Sequence, residues 1–135
     1  MSQNTSIAIL TNSAPETGAD DYVLKHNRTE GNRSTYHVDG EHTDASQALV
    51  QFYRTDPKPG GGTRGARKSA VKSTTDVPVL NAEGSGDVTM QIVFNTSATR
   101  PVGVDEAVFQ AKLNEHRALL GDDAVITALM VDGDI

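Results

Sequence analysis

Six of the chain's twelve Lys and Arg residues, Arg54, Lys58, Arg64, Arg67, Lys68 and Lys72, fall in one short stretch that contains a single acid, Asp56, of the eighteen present. Cations at that density suit the neutralisation of phosphates, and they sit in a chain whose net charge is −6, so one face is expected to meet a polyanion and the others are not. Other chemistries are weakly supported. Gly62-Thr-Arg-Gly-Ala-Arg-Lys-Ser69 has the outline of a phosphate-binding loop, but Arg67 stands where the second glycine belongs and the residues that follow alternate like a strand. His37, Asp39, Glu41, His42 and Asp44 could be drawn as a metal cluster, yet they fill a polar turn whose acids are expected on a surface, so no metal site is assigned. Serines and four histidines are present, but no nucleophile elbow organises them and three of the histidines lie in the turn-rich first third. No catalytic residue and no cofactor is expected.

The elements that must position the cations are short strands followed by helices. Ser6 to Leu10 and Tyr22 to Lys25 form two arms around a turn containing Pro15 and Gly18, and Ser34 to Val38 is a third strand. Gln47 to Thr55 places Ala48, Val50 and Phe52 on one face and Leu49, Gln51 and Tyr53 on the other. Pro57 to Gly62 breaks that strand. Arg67 to Thr75 resumes with Val71 inward and Lys68, Ala70 and Lys72 outward, Val77 to Leu80 reads as a short separate strand, and Asn81 to Gly86 as a flexible loop. Asp87 to Asn95 then alternates clearly, Val88, Met90, Ile92 and Phe94 against Thr89 and Gln91, as in antiparallel sheets with one packed and one wet face. A helix follows over 104–120 with Asp105 and Glu106 in its first turn, His116 and Arg117 in its last, and Gly121 as the stop. A second helix runs from Asp123 to Met130, capped by Asp122 or Asp123.

Composition limits what this architecture does alone. At 135 residues the chain has room for one domain, and a hydrophobic content of 36% is low for closing a core unaided, so oligomerisation is expected to supply burial. With no cysteine there is neither a disulfide framework nor a thiol nucleophile. No apolar run approaches the roughly 20 residues of a membrane helix, and the N-terminus lacks a basic region followed by an apolar stretch, so no membrane partner is expected. The Asn-X-Ser/Thr triplets at Asn4, Asn27, Asn32 and Asn95 carry no weight in a chain read as cytoplasmic.

Arg67-Lys68 at a strand start with Lys72 beyond, the Val77-Pro78 segment, the alternating strand from Asp87 to Asn95, Ser97-Ala-Thr-Arg-Pro101, Asp105-Glu-Ala-Val-Phe109 and Leu119-Leu-Gly121 together resemble the coat proteins of single-stranded RNA bacteriophages, the leviviruses. The likeness is best over 45–130. It implies an α+β fold in one domain: an N-terminal β-hairpin over 1–28, a five-stranded antiparallel sheet over 33–96 and two C-terminal α-helices over 104–131. It further implies an intertwined dimer with a ten-stranded sheet, and a homodimer that builds an icosahedral capsid around single-stranded genomic RNA. The location implied is the virion, assembled in the bacterial host cytoplasm.

Carried onto this chain, the resemblance puts RNA binding on Gln51 and Tyr53, on Arg67, Lys68 and Lys72, and on Thr89 and Gln91. Lysine neutralises phosphate, Gln and Thr hydrogen-bond phosphates, sugars or base edges, and a tyrosine ring can stack on an unpaired base. An RNA hairpin is an implied ligand, as in members that repress replicase translation, although Leu49 and Ala70 stand where polar contacts would be expected. The dimer interface is assigned to Phe109, Leu113 and Leu120, and contacts between dimers to the loop residues Asn81, Glu83, Gly84, Ser85 and Gly86. No small-molecule substrate is implied. The alternative is a small dimeric RNA-binding regulator that forms no shell; a hydrolytic or acyl-binding α+β enzyme would need a pocket with convergent polar groups, to which nothing in the sequence points.

Overall fold

Residues 7–9 and 22–133 are described by the computed structural model. Six strands follow one another across a single sheet in chain order: β1 (Ile7–Ile9), β2 (Tyr22–Glu30), β3 (Arg33–Val38), β4 (Ala48–Thr55), β5 (Ala66–Leu80) and β6 (Asp87–Pro101). Every neighbouring pair is antiparallel. Five antiparallel strands are present as expected, but as β2 to β6: the 33–96 segment supplies four, because residues 77–80 belong to β5, and β2 is the fifth. The two N-terminal arms do pair, but the second arm is itself a strand of the main sheet, and β1 adds three residues to its edge; the turn between the arms lies outside the described residues.

Three strands run further than their sequence suggests: β2, read as ending at Lys25, continues to Glu30, and β5 and β6 also lengthen. β5 continues unbroken through Val77 and Pro78, with no separate strand after Thr75. Its pairing with β4 ends at Thr75, and the Asp76 N–H donates to Gln47 O at 2.8 Å on that side. Two residues on, the Pro78 nitrogen faces the same side, where no strand follows, so its missing N–H removes no ladder bond. β6 likewise carries past Asn95 to Pro101, because β5 offers a partner for each of its residues, from Asp87 opposite Leu80 to Pro101 opposite Ala66.

Register sorts the side chains into two faces. Leu24, Tyr36, Val38, Ala48 and Val50 form the buried core on one of them, with Phe52 packed against it. Tyr36 sits between His26 and Phe52 in two edge-to-face contacts, centroids 5.3 and 5.4 Å apart, a geometry worth about 0.5–1.5 kcal/mol per pair beyond area burial. The same face continues onto β5 and β6 through Val71, Val77 and Val79 and through Val88, Met90, Ile92 and Phe94. There it stays open, with Met90 55% and Phe94 57% exposed.

Helix α1 (Glu106–Leu120) begins at Asp105, whose carboxylate accepts from the Ala107 N–H, and α2 (Asp123–Ile126) begins at Asp122, which accepts from Val125. α2 runs on into a π-helical turn, Thr127–Asp132, ended by Gly133 in the left-handed region. Gly121 ends α1 as expected, though with right-handed dihedrals, its N–H donating to Arg117 O at 3.0 Å; Gly133 is the left-handed terminator. Phe109 lies under the Arg100 guanidinium, which places α1 on the apolar side of the sheet. Yet no residue of either helix is buried. Met90 and Phe94 therefore stay open although α1 lies on the same side of the sheet.

The loop between β4 and β5 turns on glycine. Gly62 and Gly65 share a φ of +80°, but a Cβ on Gly62 would meet nothing within 4 Å, whereas one on Gly65 would lie 2.5 Å from the Lys58 carbonyl oxygen. Gly62→Ala is expected to cost about 1 kcal/mol for the left-handed backbone alone, and Gly65→Ala at least twice that, because the Lys58 backbone must also move. Urea unfolding of the two variants measures the difference, and equal costs would show that the two backbone segments do not approach.

Candidate functional site

The wet face of the sheet is built from β2 to β6 by alternation, and its centre is a row of residues paired across four strands. Thr35 stands opposite Gln51, Gln51 opposite Lys72, and Lys72 opposite Asn95. The next row holds Arg33, Tyr53, Ala70 and Ser97, and beyond it Thr55, Lys68 and Thr99. Gln51, Tyr53, Lys68 and Lys72, expected together from the sequence, are thus neighbours on one surface.

Three of the expected residues are placed elsewhere. Arg67 has the opposite parity from Lys68 and Lys72 and falls on the apolar, helix side of the sheet, paired with Arg100. Thr89 and Gln91 have the right parity but pair with Pro78 and Asp76, beyond the end of β4. Four residues of strand, about 13 Å at ~3.3 Å each, separate Gln91 from Asn95 in the central row. Asn95, Ser97 and Thr99 instead stand directly opposite Lys72, Ala70 and Lys68. A signal for this was available: a hairpin closed at Leu80 and Asp87 sets Lys72 against Asn95 by counting back from the turn.

Arg28, Arg33 and Thr35 were also missed. Arg28 reaches the wet face because β2 bulges between His26 and Arg28, where pairing skips from Tyr36 to Thr35. An extra residue there reverses the facing of all that follow. Glu30 binds both arginines, at 3.3 Å from Arg28 and 3.0 Å from Arg33. The Tyr53 hydroxyl and then the Glu30 carboxylate hold the Arg33 guanidinium more firmly in its charged form. Tyr53 donates to Gln51 Oε1 at 2.8 Å, and Gln51 Nε2 donates to Thr35 Oγ1 at 3.4 Å. The resulting chain of bonds fixes Gln51 and Tyr53 against the sheet before any ligand arrives. Lys68 and Lys72 have no ion-pair partner among the described residues.

At one end of this face the His37 and His42 rings stack, centroids 3.7 Å apart and 19° from parallel. His42 Nδ1 accepts the Ala48 N–H at 3.2 Å, which ties the 39–47 turn to the start of β4. No group of three or more His, Asp or Glu among the described residues is arranged to hold a metal ion. The loop residues Asn81, Glu83, Gly84, Ser85 and Gly86 close the far end of the β5–β6 ribbon. Asn81 Oδ1 accepts the N–H groups of Glu83 and Ser85, each at 3.1 Å, and the Asn81 N–H donates to Gly86 O at 2.8 Å. These bonds are all made within the loop. Phe109 and Leu113, expected at a dimer interface, are half-buried within one chain, and Leu120 is exposed. Phe94 and Thr96 of β6 line a groove of about 600 Å³ with His116, Leu120, Ile126 and Met130.

No protein-family model matches the chain, and neither does any curated protein. Solved structures do. A chain of the virus-like particle of Wenzhou levi-like virus 4 is 22% identical, with a TM-score of 0.69 over 83% of this chain and 77% of that one. One from the virus-like particle of bacteriophage AVE019 is 17% identical, with a TM-score of 0.71 over 97% and 95%. The virus-like particle of bacteriophage ESE058 gives 10% identity and a TM-score of 0.71 over 97% of each chain. At these identities the likeness is one of fold: this chain has the fold of the particle-forming chains of RNA-phage type, as its sequence resemblance implied.

Burial and then the neighbouring His42 push the His37 pKa below the ordinary value, against the opposing pull of Asp44. A depressed histidine pKa contributes stability that is present above the unfolded value of about 6.5 and is lost as pH falls through the folded value. The urea midpoint is expected to drop as pH falls below about 6.5, and His37→Gln is expected to flatten that dependence. An unchanged pH profile in the variant would assign the loss to other groups.

Proposed function

We propose that this chain is a structural coat protein of a single-stranded RNA bacteriophage, which dimerises, closes into an icosahedral shell and packages RNA against the wet face of its sheet. The observation that carries the reading is the division of one sheet into two unlike faces. One is apolar and uncovered, bounded by an unpaired edge strand and an apolar groove. The other is polar and basic, with its side chains already hydrogen-bonded in place.

Dimerisation accounts for the first face. β6 is fifteen residues long, and it offers one unpaired edge and the apolar side chains Val88, Met90, Ile92 and Phe94. Left open, such an edge is an aggregation site. A second copy that continues the sheet and lays its helices across the apolar face covers both, and the groove beside Leu120 and Met130 receives part of it. The self-bonded loop over 81–86, at the tip of the ribbon, is then available for contacts between dimers.

RNA binding accounts for the second face. Lys68 and Lys72 supply phosphate contacts, Gln51, Asn95 and Thr99 supply donors and acceptors for sugars and base edges, and the Tyr53 ring offers a stacking surface. Repression of replicase translation through an RNA hairpin is the finer form of the same activity; its location would be the virion, assembled in the host cytoplasm. A dimeric regulator without a shell would use the same face, and particle size separates the two.

Electron microscopy of the purified protein is expected to show closed particles, and sedimentation at micromolar concentration to show no folded species near 14.3 kDa. Phe94→Asp puts a charge into the face a second copy would cover and is expected to leave neither particles nor dimers. Particles of normal size from that variant would remove the apolar face from the interface.

Lys68→Gln with Lys72→Gln is expected to keep the dimer and to lower the dependence of single-stranded RNA affinity on log salt by roughly 0.7 for each lost phosphate contact. An unaltered slope would make these lysines a solvated surface and move RNA binding elsewhere.

A further inference from the structure

Arg67 and Arg100 stand directly opposite each other across β5 and β6, on the helix side of the sheet. Directly opposed like charges destabilise a strand pair, so the arrangement asks for a counter-charge. Among the described residues neither arginine has a carboxylate within ion-pair distance. Arg100 is instead held over the Phe109 ring, 5.1 Å from guanidinium carbon to centroid, a contact that orients the group without neutralising it. Both arginines line one cleft of about 180 Å³, completed by Pro101, Val102 and Gly103. At about 30 Å³ per liquid water, that volume suits a small polar group.

We propose that the Arg67–Arg100 cleft is a binding site for a phosphate-type oxyanion. Each guanidinium presents a planar fork of N–H donors that matches a tetrahedral oxyanion. Charge separates the candidates: two fixed cations balance a dianion, whereas a carboxylate leaves one of them uncompensated. Ligation also relieves the repulsion between the two strands, so occupancy stabilises the open end of the β5–β6 ribbon and the turn into α1. The cleft lies on the opposite side of the sheet from Lys68 and Lys72, and it stands whether or not that face binds RNA. The phosphate can come free from solution or from the backbone of a nucleic acid strand.

Thermal unfolding of the full-length protein in inorganic phosphate, against chloride at equal ionic strength, tests the site. The parent protein is expected to gain stability with phosphate, the Arg67→Gln, Arg100→Gln double variant to gain none, and titration calorimetry to give one phosphate per chain. No phosphate-specific gain in the parent, or an equal gain in the double variant, overturns the proposal. Should the double variant fail to fold by circular dichroism, Arg67→Gln alone, at an exposed position, is expected to weaken phosphate binding at least tenfold; unchanged affinity there overturns the proposal equally. A single-stranded oligonucleotide added to the Lys68→Gln, Lys72→Gln protein identifies the source. Residual binding that disappears on further loss of Arg67 and Arg100 assigns the phosphate to nucleic acid, and absence of residual binding beside intact phosphate binding assigns it to the free ion.

Discussion

The pairing of β5 with β6 determines most of what this protein presents to its surroundings. Fifteen consecutive residues of each strand oppose one another without a bulge, from Ala66 and Pro101 at one end to Leu80 and Asp87 at the other. Because side chains alternate with a period of two, that single register assigns every residue of both strands to a face. It puts Lys68 and Lys72 beside Thr99 and Asn95 on the wet side, and Arg67 beside Arg100 on the other. It also carries the ribbon past the end of β4, so that Met90 and Val88 lie where no other strand of the chain reaches.

Much of this was legible in the sequence where one chemical pattern dominated. The alternation from Val88 to Phe94, the acids that cap both helices and the order of strands before helices each follow from local residue types, and the fold they suggest is the one observed. Long-range consequences were less visible. Val77 to Leu80 read as a separate strand, yet it continues β5, and Pro78 costs no ladder bond there because β4 has ended. Arg67 looked like a partner of Lys68 because adjacent residues share a neighbourhood in the sequence, whereas in a strand adjacency is what separates them. The Asn27 bulge that brings Arg28 onto the wet face has no local signature, since it depends on which residues β3 offers as partners.

The distribution of burial explains the modest hydrophobic content. The packed core lies under β2, β3 and β4, where Leu24, Tyr36 and Ala48 are nearly inaccessible to solvent. Under β5 and β6 the same face stays open along Val88, Met90 and Ile92, and the helices meet it at Phe94 and Arg100. A single chain therefore leaves much of its apolar surface open, with Met90, Phe94 and Met130 each more than half exposed.

The order of strands also governs how the molecule comes into being. Each strand pairs with the one made immediately before it, and no connection crosses the sheet, so each closure spans a short loop and the entropy lost at each step is small. The sheet can zip forward as the chain leaves the ribosome. Its open edge, β6, is then the last strand to join, and the helices follow it. The open apolar surface that β6 carries is consequently completed only when the rest of the sheet already exists.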